Sequence, residues 1–186
     1  MPVQIIKRRT RFFLAVEGES EQAFVAWLQT LSENGLHIHL DSYPLGGGGF
    51  KSMLEKAVHL HDRHRKAKGA YRDRFLIIDA DRTAYGDWSI DKLKQEATKH
   101  AINVCVQRPN HEGLLLRMMR GMETETPDTT AVQAKLKLRW PNYQRPVNAQ
   151  TLGRRFSLGD LLRMANVDAD FGILLKKIGL MEERID

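Results

Sequence analysis

The chain alternates short apolar runs with longer stretches in which apolar residues recur every three or four positions. RFFLAV (11–16), HIHLDSY (37–43), RFLIID (74–79) and INVCV (102–106) are strand candidates. Three of them are nearly continuous in apolar character, as strands covered on both faces are. Between them, Phe24, Trp27, Leu28 and Leu31 stripe one helix that Asn34 and Gly35 would end, and Phe50, Met53, Leu54, Ala57 and Val58 stripe the next. A third helix starts at Ser89, an N-cap, with Trp88 and Leu93 spaced as a hydrophobic staple. The order β-α-β-α-β-α-β predicts an α/β fold, a Rossmann-like parallel sheet flanked by helices, with its chemistry beyond the carboxyl ends of the strands.

After residue 107 the pattern turns wholly helical. Leu115, Met118, Met119 and Met122 share one face, and further helices are expected over roughly 128–139, 158–165 and 171–178, with breaks at Pro127, Pro141, Pro146 and Gly159 to Asp160. The division expected is 1–122 for the sheet domain and 123–186 for a helical C-terminal extension packed on it. No linker or internal repeat interrupts the chain.

Composition narrows the class. A length of 186 residues with 42% hydrophobic and 28% charged residues suits one soluble core, and no run reaches the roughly 18 apolar residues of a membrane span. The start has no small-residue cleavage site, so a cytoplasmic protein with no membrane partner is expected. The lone Cys105 excludes an internal disulfide or a thiolate metal cage and reads as a core residue. A net charge of +6 favours polyanions, with the excess concentrated at 7–11 and 59–68.

Against that basic background, acidic residues stand at strand ends. Glu17 closes the first strand and Glu21 sits in the first turn of the next helix, where a carboxylate also complements the helix dipole. Asp79 and Asp81, two apart at the end of the third strand, would point the same way in extended chain. Carboxylates crowded at one rim repel unless a cation neutralises them, and oxygen ligands without cysteine favour Mg2+ or Mn2+.

E-G-E-S-E after one strand and D-A-D after a later one resemble the TOPRIM domain of topoisomerases, primases and the overcoming-lysogenization-defect (OLD) nucleases. QRPNHEGLLLRMM (107–119) is similar to the P-C-F-E-x-W-L-L-L segment of the small RloB-like TOPRIM proteins of anti-phage defence loci. Asn110 and His111 replace Cys-Phe there, Leu114 replaces Trp, and Arg117 stands near where a histidine is usual, so the wider OLD and RloB-like group is the better placement. The resemblance, over residues 8 to 120, implies a metal-dependent nuclease acting on DNA or RNA as the effector of a defence system with an ATPase partner. It implies Glu17, Glu21, Asp79 and Asp81 as metal ligands, with Glu17 alternatively a general acid or base, and Glu112 as a further carboxylate. His111 would contact a scissile phosphate or move a proton. A non-catalytic TOPRIM-like regulatory or sensor subunit is the alternative, a primase-like nucleotidyltransferase a third reading, and self-association into a homo-oligomer is left open.

Other features have plainer readings beside their functional ones. Gly46 to Gly49 followed by Lys51 would offer backbone N–H groups to a phosphate or serve as a flexible crossover, but Phe50 rules out a Walker A loop. His59 and His61 fall on opposite sides of a helix, at about 100° per residue, while His61 and His64 share a face. Arg63, Arg65, Lys66 and Lys68 would form a nucleic-acid-binding helix end or a solvated face. Tyr85 is read as a loop residue, and LRWPNYQRP (138–146) matches no motif of known mechanism.

Overall fold

In the computed structural model, which describes residues 9–33, 35–81 and 88–182, the four apolar runs form one sheet. The strands are β1 (Thr10–Val16), β2 (Ile38–Pro44), β3 (Arg74–Asp79) and β4 (Asn103–Gln107), all parallel in the order β2-β1-β3-β4. Leu14 pairs with Ser42 on one side and Phe75 on the other, and Ile77 with Cys105. β1 and β3 therefore lie in the middle of the sheet, which explains why their apolar runs are the least interrupted.

The crossovers explain how the faces are covered. The chain leaves β1 through α1 (Glu19–Ser32) for one edge, then reverses through α2 (Phe50–Lys68) across β1 to β3, and continues through α3 (Ile90–Lys99) to β4. Crossovers of a single hand put helices on opposite faces when the direction of travel reverses. Accordingly α1 packs with Phe12, Leu14, Val16 and Ile77 on one face, and α2 and α3 pack with Phe13, Ala15, Leu76 and Ile78 on the other. Ser89 caps α3 by accepting the Lys92 N–H at 3.1 Å, and Trp88 and Leu93 both pack into the second cluster. The predicted stop at Asn34 lies outside the described residues, and α1 ends at Ser32.

The C-terminal helices are α4 (His111–Arg117), α5 (Thr129–Arg139), α6 (Ala149–Arg155), α7 (Leu158–Val167) and α8 (Ala169–Ile178). They complete the face that α1 begins. Phe24 meets Phe171 edge to face at 6.0 Å, and Trp27 packs 6.4 Å from Phe156, so residues before and after position 122 share one apolar cluster. Met118, Met119 and Met122 are buried in that cluster, although the helix expected to carry them ends at Arg117. Gly159 and Asp160 do not break a helix; Ser157 and Asp160 form the capping box that starts α7. No helix among the described residues is long and apolar enough to cross a membrane.

Candidate functional site

Two strands that send their chains in opposite directions meet at β1 and β3, and in open parallel sheets such a switch point leaves a crevice at the carboxyl edge. An open cleft of about 440 Å³ lies there, lined by Glu17, Glu19, Glu21, Gly47, Asp79 and Arg145 among others. The local chain explains the carboxylates. Glu17 stays in the ladder through its N–H to the Ile77 carbonyl (3.1 Å), and its Oε2 accepts the Asp79 N–H (3.1 Å), tying the ends of β1 and β3 together. Glu21 Oε2 accepts the Gly18 N–H at 2.9 Å, the reciprocal half of a capping box. It thus fills the helix-start role and the cleft role together, with Oε1 left facing inward.

A buried glutamine binds the cluster. Gln107 ends β4 directly beside Asp79 in register. With its amide oriented to satisfy its neighbours, the nitrogen donates to Asp79 Oδ1 (2.7 Å) and Glu21 Oε1 (3.1 Å), and the oxygen accepts from His111 Nδ1 (3.0 Å). His111 is therefore the Nδ1–H tautomer. Burial and the positive charge of Arg145 push its pKa down to about 3, so its 3.5 Å approach to Glu21 is not an ion pair at neutral pH. Its buried Nε2 has no hydrogen-bond partner among the described residues.

Charge accumulates on the carboxylates. Burial, followed by the negative charges of Glu21, Glu17, Asp81 and Glu112, pushes Asp79 up to about 9, and burial raises Glu21 as well. The remaining predicted acids are turned to other partners. β3 ends at Asp79 and the chain enters a helical turn, so the strand alternation that would align Asp81 with Asp79 is lost. Asp81 Oδ2 instead accepts from Asn110 Nδ2 (3.1 Å) and Thr129 Oγ1 (3.4 Å). Glu112 is fully buried, accepts the Tyr143 hydroxyl at 2.8 Å and forks onto Arg145 Nε and Nη2. Gly113 permits this placement: a Cβ there would stand 2.1 Å from the Arg108 carbonyl oxygen, so only glycine lets α4 start so close to the preceding turn.

The donor chemistry suits a hard divalent cation, since it is all carboxylate oxygen under mutual repulsion. The side-chain arrangement is not a ready chelate: among the described residues no group of three or more His, Cys, Asp and Glu is disposed to hold a metal ion. The Gln107 amide bonds both Glu21 and Asp79. Glu17, Glu21 and Asp79 are the candidate ligands that the fold brings together; Asp81 and Glu112 are engaged elsewhere.

The predicted nucleic-acid contacts divide between two edges. Lys51 is exposed in the first turn of α2, next to the glycine loop at the cleft, where Gly47 N–H reaches the Glu17 carbonyl at 3.3 Å. Gly46, Gly47 and Gly48 all have positive φ, and Lys56 Nζ bonds the carbonyls of Leu45 and Gly47, which gives the loop a defined path. Arg63, Arg65, Lys66 and Lys68 are exposed toward the other end of this 19-residue helix, about 18–26 Å from Lys51 along its axis. There Arg11, one residue into β1, bonds the Lys68 carbonyl. A crossover helix runs antiparallel to its strands, so this basic end lies at the amino edge, remote from the cleft. His61 is buried beside Phe13 and Tyr71, His64 stacks on Tyr43, and His59 is exposed, so the three do not converge. Tyr85 lies outside the described residues.

Sequence reasoning missed Gln107, Tyr143 and Arg145. Gln107 had a signal, being a polar residue at the end of an apolar strand, like Asp79. The other two had none, because an irregular stretch brings them to Glu112 from more than thirty residues away. A cavity of about 450 Å³ beside Arg108, Arg117, Asp168 and Asp170 is no rival: Arg117 pairs with Asp168 at 2.6 Å, and Asp170 with Lys94 at 2.5 Å. Comparison with protein-family models, curated proteins and solved structures finds no match to this chain.

Proposed function

We propose that this protein is a TOPRIM-type, metal-dependent phosphodiesterase that hydrolyses DNA or RNA, as an effector working with an ATPase partner in anti-phage defence. One observation carries the chemistry: Glu17, Glu21 and Asp79 converge at the switch point of a parallel sheet, with Asp79 pushed up to about 9. Structural carboxylates are normally paired with cations or donors that favour their charge; this cluster costs stability and borders an open cleft. The defence setting and the ATPase rest on the resemblance of EGESE, DAD and the 107–119 segment alone.

Mg2+ or Mn2+, held by Glu17, Glu21 and Asp79, would neutralise phosphate charge and lower the pKa of a bound water. The chain's own residues do the rest. Glu17 joins the two strand ends, which fixes the spacing of the cluster. Gln107 orients Glu21 and Asp79, and it holds His111 in a single tautomer. Protonated Asp79 stores the proton that a cation would displace.

The engagement of each carboxylate by an internal donor, and the lack of a preformed chelate, favour a second reading. In it the site is a non-catalytic regulatory or sensor module for the ATPase. Incubation of purified protein with plasmid DNA and structured RNA in Mg2+ or Mn2+, with and without any ATPase found encoded beside it, separates the two. Cleavage that Glu17→Gln and Asp79→Asn abolish supports the enzyme. Metal-induced stabilisation without cleavage under any condition supports the regulator.

A further inference from the structure

Among the described residues Arg145 is the one guanidinium lining the acidic cleft, and its setting is specific. It arrives from the irregular stretch between α5 and α6, and Glu112 takes its Nε and Nη2 in a fork. Glu112 is 0% exposed and is itself fixed by the Tyr143 hydroxyl, while the Arg145 side chain is 47% exposed. One edge of a planar group, Nε and Nη2, is thus anchored in the interior, and the Tyr143 hydroxyl also bonds this guanidinium. Half of the guanidinium stays exposed in a cleft whose other charged lining residues, among those described, are carboxylates.

We propose that Arg145 is the phosphate-contacting residue of the cleft: held on one edge by Glu112 and Tyr143, it offers the other to a non-bridging oxygen of a phosphodiester lying over Glu17, Glu21 and Asp79. The inference rests on the phosphodiesterase reading for its ligand class, and it gives Glu112 a positioning role in place of a directly catalytic one. Planar donors in a fork match phosphate oxygens, and a guanidinium anchored beforehand loses little freedom on binding. An acidic cleft would otherwise repel the backbone it must hold.

The test is binding, read without turnover. Fluorescence anisotropy with a labelled single-stranded oligonucleotide in Ca2+, at fixed salt, should show about a tenfold or greater loss for Arg145→Ala and a smaller loss for Arg145→Lys. Glu112→Gln should weaken binding, and Arg145→Ala combined with Glu112→Gln should bind no worse than Arg145→Ala alone. The combined variant also removes the buried charge that the single one exposes, and thermal melting confirms that it folds. An oligonucleotide with one neutral methylphosphonate linkage should bind wild type more weakly and Arg145→Ala unchanged. Competition by inorganic phosphate against nucleoside monophosphate and oligonucleotide tells a lone phosphate from a strand. Wild-type affinity in a folded Arg145→Ala protein overturns the inference, as does absence of any binding by wild type. If Asp79→Asn abolishes cleavage while Arg145→Ala binds normally, the phosphodiesterase reading survives and this one fails; if Arg145→Ala loses binding in a protein that never cleaves, the reverse holds.

Discussion

Two parts of the sheet treat an aspartate in opposite ways. In the middle of the outer strand β2 Asp41 is buried among cations: Arg11 donates to it through Nε at 3.0 Å and through Nη2, and Lys68 stands 3.4 Å away. Tyr71 and Tyr43 close the network with their hydroxyls. At the carboxyl edge Asp79 faces Glu17, Glu21 and Gln107 and is pushed up to about 9. The first arrangement spends its charge inside the fold. The second leaves a like-charge cluster that only a proton or a cation relieves, and the contrast separates carboxylates that hold the protein together from carboxylates available for chemistry.

The largest effect that would test this contrast is on turnover. Asp79→Asn and Glu17→Gln should each lower cleavage by about a thousandfold or more, on the order of 4 kcal/mol of barrier. Thermal stability should stay level or rise in Asp79→Asn, because the repulsion is gone. A fall in stability as large as that expected for the Asp41 network would erase the distinction between the two aspartates.

Breaking the Asp41 network should act only on stability. Arg11→Met leaves buried Asp41 with the half-exposed Lys68 and His39 and the Tyr43 hydroxyl, and should cost about 2–4 kcal/mol, read as a lower midpoint in urea at unchanged slope. Specific cleavage activity of the folded fraction should not change.

Protonation sharpens the comparison next. The folded-state pKa of Asp79 is raised above its ordinary 3.8 to about 9, so the folded state holds a proton that the unfolded chain releases. Its contribution is complete below about pH 4 and fades as pH rises through 9. Metal-free protein should therefore be less stable at pH 9 than at pH 7.5 by about 1–2 kcal/mol, roughly 3–6 °C in melting temperature. Asp79→Asn should flatten that slope, and Mg2+ or Mn2+ at pH 9 should restore the loss in wild type but not in the variant.

The smallest effect is expected from the basic end of α2. Replacing Arg63, Arg65 and Lys66 together by alanine should change the oligonucleotide affinity of the cleft less than about threefold at 0.15 M salt. Those charges stand about two to three screening lengths along α2 from its cleft end. A tenfold loss would mean that nucleic acid wraps the molecule from edge to edge.

The elements most readily read from sequence were those in which local pattern and tertiary setting agree. β1 and β3 are covered on both faces, so their apolar runs announce them, and Ser89 with Trp88 and Leu93 announces the start of α3. α6 went unnoticed because it is seven residues long with Leu152 its one buried residue. Asp81 was misdirected by an alternation that ends with the strand at Asp79. Glu112 looked like one more acid because its partners, Tyr143 and Arg145, lie in a stretch with no period.

What the residues alone determine is the sheet, the helices that cover it and the presence of carboxylates at the ends of β1 and β3, because strand and helix periods and strand-end polarity are local properties of the chain. Which acids face one another, which is neutralised by an arginine, and which edge carries the basic helix end were decided only by the folded chain. Those outcomes depend on distances between segments far apart in sequence, and on a desolvation that no residue experiences until the layers have closed around it.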